Sequence, residues 1–524
     1  MIADNMKCFI LGTLLFAYFA NNLFSQHQNI LIGTLRNPNE PAIIIDTRNP
    51  DFMMAGSNLD NYYLSSDGGF SWSENRIFSS TLGVWGDPCI VVDTLGNFYF
   101  FHLSNPIGPA WIDQIVCQKS YDFGATWNNG TGIGLNGNKA QDKEWAIIDS
   151  RTNNIYVTWT QFDEYGSSDP ADSSIILFSK SLNQGATWTV PVRINKIAGD
   201  CKDSDGTVEG AVPAVGPNGE IYIGWAGPQG VMFDKSTDNG ITWLEEDVNV
   251  CAIPGGWDFN IPDISRANGL PVTCCDLSYG PNRGTIYINW SDQRNGSDDT
   301  DVWLVKSIDG GNSWTEPVRV NDDQFRKQQF FCWMTVDQVT GKLWFVFYDR
   351  RNYNDSMTDV FMAVSDDGGE TFANFKVSET PFYPDNSIFF GDYTNISATN
   401  DIVRPIWTRL SNFELSIHTA IVDPQLVGIS TPELLTTPDT EIYPNPFNNS
   451  VAFSFNLASE SLTSLSFYNS MGQLITKIID SKILPEGKYV EIVNANANNL
   501  KPGFYYFSFT AGNIQQKHKI VYSP

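Results

Sequence analysis

An eight-residue pattern, Ser-x-Asp-x-Gly-x-Ser/Thr-Trp, recurs six times along this chain of 524 residues, twice in altered form. The copies are Ser65–Trp72 (SSDGGFSW), Ser120–Trp127 (SYDFGATW), Ser181–Trp188 (SLNQGATW), Ser236–Trp243 (STDNGITW), Ser307–Trp314 (SIDGGNSW) and Ser365–Phe372 (SDDGGETF). Their starts lie 55, 61, 55, 71 and 58 residues apart. That spacing is longer than a hairpin and shorter than a domain, so one supersecondary unit is stacked repeatedly. Within each copy the Asp carboxylate suits the capping of a tight turn. Gly at the fifth position supplies a positive φ that a side chain resists. The closing Trp begins the next strand and packs between sheets. Asn183 for Asp in the third copy and Phe372 for Trp in the last keep those roles. The repeat therefore reads as scaffold.

Between the copies the chain is strand-like. It holds 16 Trp, 20 Tyr and 34 Phe, with no long amphipathic helical pattern, which is an all-β composition. Two further strands precede each copy, as in Pro88–Ser104, Trp145–Thr160 and Cys332–Asp349, and again at Pro41–Ser57, Ala211–Trp225 and Pro271–Trp290. The pair returns a seventh time at Tyr393–Thr408, followed by Leu415–Val422 and no eight-residue copy. The N-terminal segment Asn29–Asn37 can supply the strand missing from that last unit and so remove the exposed edge. The expectation is a seven-bladed β-propeller of four-stranded blades, with six blades as the alternative.

The repeat resembles the Asp-box of sialidase-like β-propellers, and six copies in order at blade spacing carry that resemblance. Both ends of the chain are also specific. Residues 1–25 read as a secretory signal, with Lys7 followed by the apolar run Cys8–Ala20. The apolar run is short for a membrane span, and no transmembrane segment is expected. The propeller is expected over 26–424 and a linker over 425–440. The tail 441–524 carries EIYPNPFNNS, SLSFYNSMGQLI and LKPGFYYFSF. These blocks resemble the C-terminal sorting domain of type IX secretion cargo in Bacteroidota, here a small β-sandwich. The resemblance implies a type IX machinery partner and a secreted or surface location. A net charge of -27 argues against nucleic acid and against an acidic membrane face as partners.

The alternation of hairpins divides the loops between two faces. The repeats lie on one. On the other lie the loops leading into each innermost strand and those crossing from second to third strands. Asp87, Glu144, Glu209 and Asp392 are expected at equivalent places before the innermost strand, ringing the channel mouth, with Trp85, Trp145 and Tyr393 beside them. Arg294, Arg350 or Arg351, and Arg409 come from the crossing segments of three consecutive blades, Arg351 being the one taken for the substrate. Carboxylates, guanidiniums and aromatic rings together suit a sugar, and three convergent guanidiniums would suit a substrate carboxylate. The sialidase resemblance implies Tyr393 as nucleophile with Glu209 or Glu144, Asp87 as acid/base, and the three arginines on the carboxylate. The family's Arg-Ile-Pro motif is absent, Arg36-Asn37-Pro38 being no substitute. The other reading of these residues is structural: each arginine pairs with a neighbouring Asp (Asp292, Asp349), and the carboxylates cap strand starts.

Seven cysteines follow the signal, and Cys201 with Cys251 is the pair to test first for a disulfide. No spacing suggests zinc, and no cofactor is expected. The oxygen-rich loops Asp200–Gly206 and Asn295–Asp301 would suit calcium if any metal binds. Two functions stay open. One is an exo-glycosidase of sialidase type acting on extracellular glycans; the other is a non-catalytic propeller binding carbohydrate or protein.

Overall fold

A computed structural model describes residues 27–424 except 325, and 440–524 except 458–460, 471, 486, 512 and 513. The signal at 1–25 and nearly all of the linker at 425–440 lie outside the described residues. The described residues form two compact units, 27–424 and 440–524.

Each repeat in the first unit closes the third strand of a four-stranded antiparallel sheet. In the fourth sheet the strands are Glu209–Val215, Ile221–Gly227, Gly230–Ser236 and Val248–Cys251, in that order from inside to outside. Seven such sheets occur among the described residues of this unit. Their innermost strands begin at Ala42, Gly86, Ala140, Glu209, Val272, Gln329 and Asn395. Each innermost strand contacts the next, and the strand at Asn395 contacts the one at Ala42, so the circuit is closed. The seventh sheet takes its outer strand, Gln28–Gly33, from the N-terminus; it pairs antiparallel with Glu414–Ile421, with Ile30 opposite Thr419. Trp159, Trp225, Trp290 and Trp407, near the end of the second strand of four sheets, are fully buried and fill the wedges between neighbours.

The turn geometry explains why the eight residues recur. In the fourth sheet Ser236 Oγ accepts from Gly240 N (2.8 Å) and donates to Asp238 Oδ1 (2.8 Å). Asp238 then accepts from Thr242 N (2.9 Å) and Thr242 Oγ1 (2.6 Å). The same four bonds hold in every copy, and Asn183 keeps them with an amide donating to Thr187 Oγ1. The fifth-position glycines all have φ between 75° and 90°. A Cβ there would also press on the preceding sheet: at Gly240 on the Phe178 ring and at Gly311 on the Phe233 ring. The closing rings pack on that same sheet, Trp243 edge-on to Phe178 at 5.1 Å and Trp314 to Phe233 at 5.0 Å. The repeat is thus both a turn and an intersheet joint.

In the second unit a three-stranded sheet (Thr440–Tyr443, Ser450–Leu457, Gly487–Asn494) packs on a four-stranded one (Leu474–Leu484, Ser461–Asn469, Gly503–Ala511, Ile514–Tyr522). Phe453 against Phe507 and Phe455 against Phe509, with centroids 5.1 and 4.7 Å apart, form the core of this sandwich.

All seven described cysteines are free thiols, so the expected Cys201–Cys251 disulfide is not formed. Cys201 is buried in the apolar cluster between the second and third sheets, whereas Cys251 packs on the cluster between the fourth and fifth.

Gly311→Ala combines a left-handed backbone with a collision on Phe233. It is expected to lower the unfolding free energy by about 2–4 kcal/mol. Equilibrium denaturant unfolding checks this against Gly137→Ala, a left-handed position with open space around it.

Candidate functional site

Bulges at the inner strands shape the mouth of the ring. Strand register shifts between Gly86 and Cys89, Asp142 and Trp145, Glu209 and Val212, and Phe330 and Trp333. The second residue of each bulge is left-handed: Asp87 (φ 52°), Lys143 (φ 53°), Gly210 (φ 72°) and Phe331 (φ 51°). Glu40 (φ 52°) holds the matching place before the first inner strand. Such bulges re-aim side chains. Glu209, Asp87 and Glu144 are therefore the first, second and third residues of their bulges. They are not the equivalent positions that the sequence suggests, and only Asp87 of the three lines the cleft over the mouth.

That cleft holds about 370 Å3. Its floor is organised by one ammonium group. Lys143 Nζ lies 2.8 Å from Asp392 Oδ2, 3.3 Å from Asp87 Oδ2 and 3.7 Å from Glu40 Oε1, all of them buried. Arg266 pairs with Asp392 as well, and its Nη1 reaches Asp203 at 3.0 Å. Asn58 clamps the other side: its Oδ1 accepts from Asp87 N (2.7 Å) and its amide donates to Glu40.

Burial opposes ionisation of Asp392, yet Lys143 and Arg266 hold its carboxyl below the ordinary carboxylate range. Glu40 goes the other way, raised by burial and then by the charge of Asp87. Burial also pushes Asp142 up to about 8, against the pull of Lys143. The floor therefore carries a protonated Asp142 beside charged Asp392 and Lys143 at neutral pH.

One wall is aromatic. Trp85 and Trp111 meet edge to face at 5.8 Å, and Trp111 meets Tyr165 likewise at 5.8 Å. Trp85 and Trp111 remain 37% and 42% exposed. Phe389 closes the far side under the Arg266 guanidinium, 5.3 Å from its ring.

The structure brings Asp87 and Trp85 to this cleft, buries Asp392 beneath it against Lys143 and Arg266, and places the other expected residues elsewhere. Glu144 and Glu209 are each 1% exposed, with both carboxylate oxygens lacking a hydrogen bond. Burial first, then Asp87 for Glu144 and Asp203 for Glu209, raises both well above the ordinary range. Tyr393 and Trp145 plug the channel below, their rings 5.1 Å apart and Trp145 4.4 Å from Trp333. Burial raises the Tyr393 phenol.

The three arginines have separate partners. Arg294 Nη2 binds Asp292 (2.6 Å) and stacks over Trp303. Arg351 Nε binds Asp349 (2.8 Å) and lies over Phe361. Arg409 donates to the Thr380 and Pro381 carbonyls. None of the three lines the cleft. The cations that do are Lys143, Arg266 and Arg36. Lys143 stood in view in the sequence beside Glu144; Arg266 and Glu40 carried no signal.

The two calcium-suited loops bind the protein itself. Asp203 takes Arg266 and Tyr165, Asp205 takes the Asp258 amide (2.8 Å), and Asp301 takes Asn295 (2.7 Å) and Asn321. Among the described residues no three His, Cys, Asp or Glu side chains converge as metal ligands.

Residues 441–523 match the family described as a secretion system C-terminal sorting domain. The chain is similar in structure to a Hadza microbial sialidase, at 15% identity over 72% of this chain and 75% of that one, with a TM-score of 0.41. It is similar to an ulvan lyase, at 14% identity over 74% and 95%, with a TM-score of 0.45. It is also similar to a Trypanosoma rangeli sialidase in complex with sialic acid, at 13% identity over 91% and 88%, with a TM-score of 0.41. No curated protein matches the chain in sequence. Among the described residues no helix is long and apolar enough to cross a membrane. The chain is a propeller protein bearing a secretion sorting domain, which directs it to the cell surface or beyond.

Lys143→Met leaves buried carboxylates without their shared cation, at an expected cost of about 3–5 kcal/mol in unfolding free energy. Adding Asp392→Asn should recover part of that loss in the same denaturant assay. A second expectation concerns pH. Asp142 titrates at 3.8 when free and near 8 in the fold, so the native state keeps a proton that the unfolded chain releases between those values. Its contribution to stability is full below the lower value and is lost as pH rises towards the upper one. Asp142→Asn should therefore flatten the fall of Tm with pH across that window, read by scanning calorimetry.

Proposed function

We propose that the exported protein is a glycan-directed propeller whose cleft over the ring mouth binds a carbohydrate chain. The observation that carries this reading is the exposed Trp85–Trp111 pair standing over a polar floor of Asp87, Asp142 and Lys143. Sugars present C–H faces that stack on indole rings and hydroxyls that bond to carboxylates and ammonium groups. Arg294 and Arg351 are committed to Asp292 and Asp349, and Arg409 to backbone carbonyls. A three-arginine clamp on a substrate carboxylate therefore has no support here. The sorting domain fits a target outside the cell.

A second reading, glycoside hydrolysis, has one observation in its favour. Asp142, protonated near neutral pH, and Asp87 line the same cleft. An acid beside a carboxylate is the pairing that glycosidic bond cleavage uses.

The test is a titration of indole fluorescence with neutral and acidic oligosaccharides, run beside a panel of fluorogenic glycosides that includes a sialoside. Trp85→Ala and Trp111→Ala should each weaken binding about tenfold, a change of about 1.4 kcal/mol. Release of fluorophore that Asp142→Asn abolishes while binding persists would establish hydrolysis. Absence of quenching with every oligosaccharide and of signal on a glycan array would remove the glycan reading.

A further inference from the structure

Away from this cleft, a second depression of about 480 Å3 opens on the same loop face, between the fifth and sixth sheets. The lead-in residues Arg326 and Lys327 and the crossing residue Arg350 bring three cations to it. Arg294 and Arg351, their counterparts in these sheets, are each neutralised by an aspartate. Among the described residues Arg326, Lys327 and Arg350 form no ion pair, although the chain carries 59 acidic residues. Lys327 Nζ donates only to neutral oxygens, the Tyr353 carbonyl and Asn354 Oδ1 (3.0 Å).

Arg350 is the more telling of the three. It is 3% exposed, and its guanidinium lies over the Phe330 ring at 5.2 Å. Its one side-chain hydrogen bond among the described residues runs from Nε to Thr358 Oγ1 at 3.0 Å, while Nη2 is buried with no partner. Burial depresses its pKa to about 10, opposed by Asp263 and Asp355 through space. A buried cationic donor left unbonded is costly and points to a missing acceptor.

Three aspartates share the rim. Asp263 and Asp298 are exposed and screened by solvent, and Asp355 already accepts from Tyr383 Oη (3.0 Å). Asp299 is spent on the backbone N–H groups of Arg326 (2.6 Å) and Lys327 (3.3 Å), which fixes the lead-in loop.

We propose that this depression is an anion subsite for the sulfate or carboxylate group of an acidic sugar, anchored on Arg350 and flanked by Arg326 and Lys327. A planar guanidinium fork matches either oxyanion in bidentate fashion. Naming a sugar as the carrier rests on the glycan reading above; the anion subsite does not.

Scanning fluorimetry and calorimetric titration of the full chain test it, with inorganic sulfate and glucuronate as probes at constant ionic strength and glucose as the neutral control. One or both anions should bind saturably and raise Tm, and glucose should not. Arg326→Ala with Lys327→Ala, the first exposed and the second half-buried, should weaken anion binding about tenfold. Arg350→Lys, which keeps the charge and loses the fork, should weaken it as well, and Trp85→Ala should leave it unchanged. Preference between the probes identifies the group. No saturable binding of either anion, or equal binding by the double variant, overturns the subsite. Oligosaccharide quenching without anion binding would sink this inference alone. Anion binding without any oligosaccharide binding would keep the subsite and remove the sugar.

Discussion

Closure of the ring is the constraint on which the rest of this unit depends. The strand Gln28–Gly33 pairs with Glu414–Ile421, so the last sheet is completed by the first residues described and Glu414–Ile421 is not left as an edge. Asn29 reinforces the join, exchanging backbone and side-chain bonds with Glu379 and donating to the Val377 carbonyl. On the adjoining seam Arg404, buried and with no ion pair among the described residues, donates twice to the Gly68 carbonyl in the first eight-residue turn. The turn that recurs as scaffold thus also receives the clasp between first and last sheets. Circular closure in turn forces the inner strands together at one axis.

Crowding at that axis explains the charge arrangement. Several carboxylates reach a small, poorly hydrated space, and they cannot all ionise. The fold meets this in two ways. Lys143 and Arg266 neutralise Asp392 and Asp87 directly, while Glu40, Asp142, Glu144 and Glu209 have their pKa values pushed upward by burial. Placing Lys143 there requires the left-handed bulge residue, which an ordinary strand would have turned aside.

The cations of this acidic chain divide by partner. Arginines such as Arg48, Arg151, Arg294 and Arg351 each fold back on the aspartate two residues earlier and serve the scaffold. Arg266 and Lys143 share carboxylates at the cleft floor. Among the described residues Arg326, Lys327 and Arg350 form no ion pair. The Asp-x-Arg spacing of the first group is local and visible in the chain; the remaining cations are distinguished only by what comes near them in space.

Local chemistry determined what could be read from the sequence alone. The six turns, the strand pairs before them and the strands of the tail rest on short-range geometry, which residue order encodes directly, and the N-terminal strand was legible from the fourth strand that the last unit lacks. That Trp85 and Asp87 stand on the loop face at the start of an inner strand was also legible, because the strand was. Register was not: one extra residue in a bulge redirects every side chain near it, so Glu144 and Glu209 turn inward and Lys143 takes the floor. Convergence was not legible either. Arg294, Arg351 and Arg409 follow one another in consecutive sheets yet stay with their own partners, whereas Glu40, Arg266 and Asp392, far apart in the chain, meet at one point. Which groups share a site is decided by ring closure and through-space charge, and these exist only once the tertiary structure has formed.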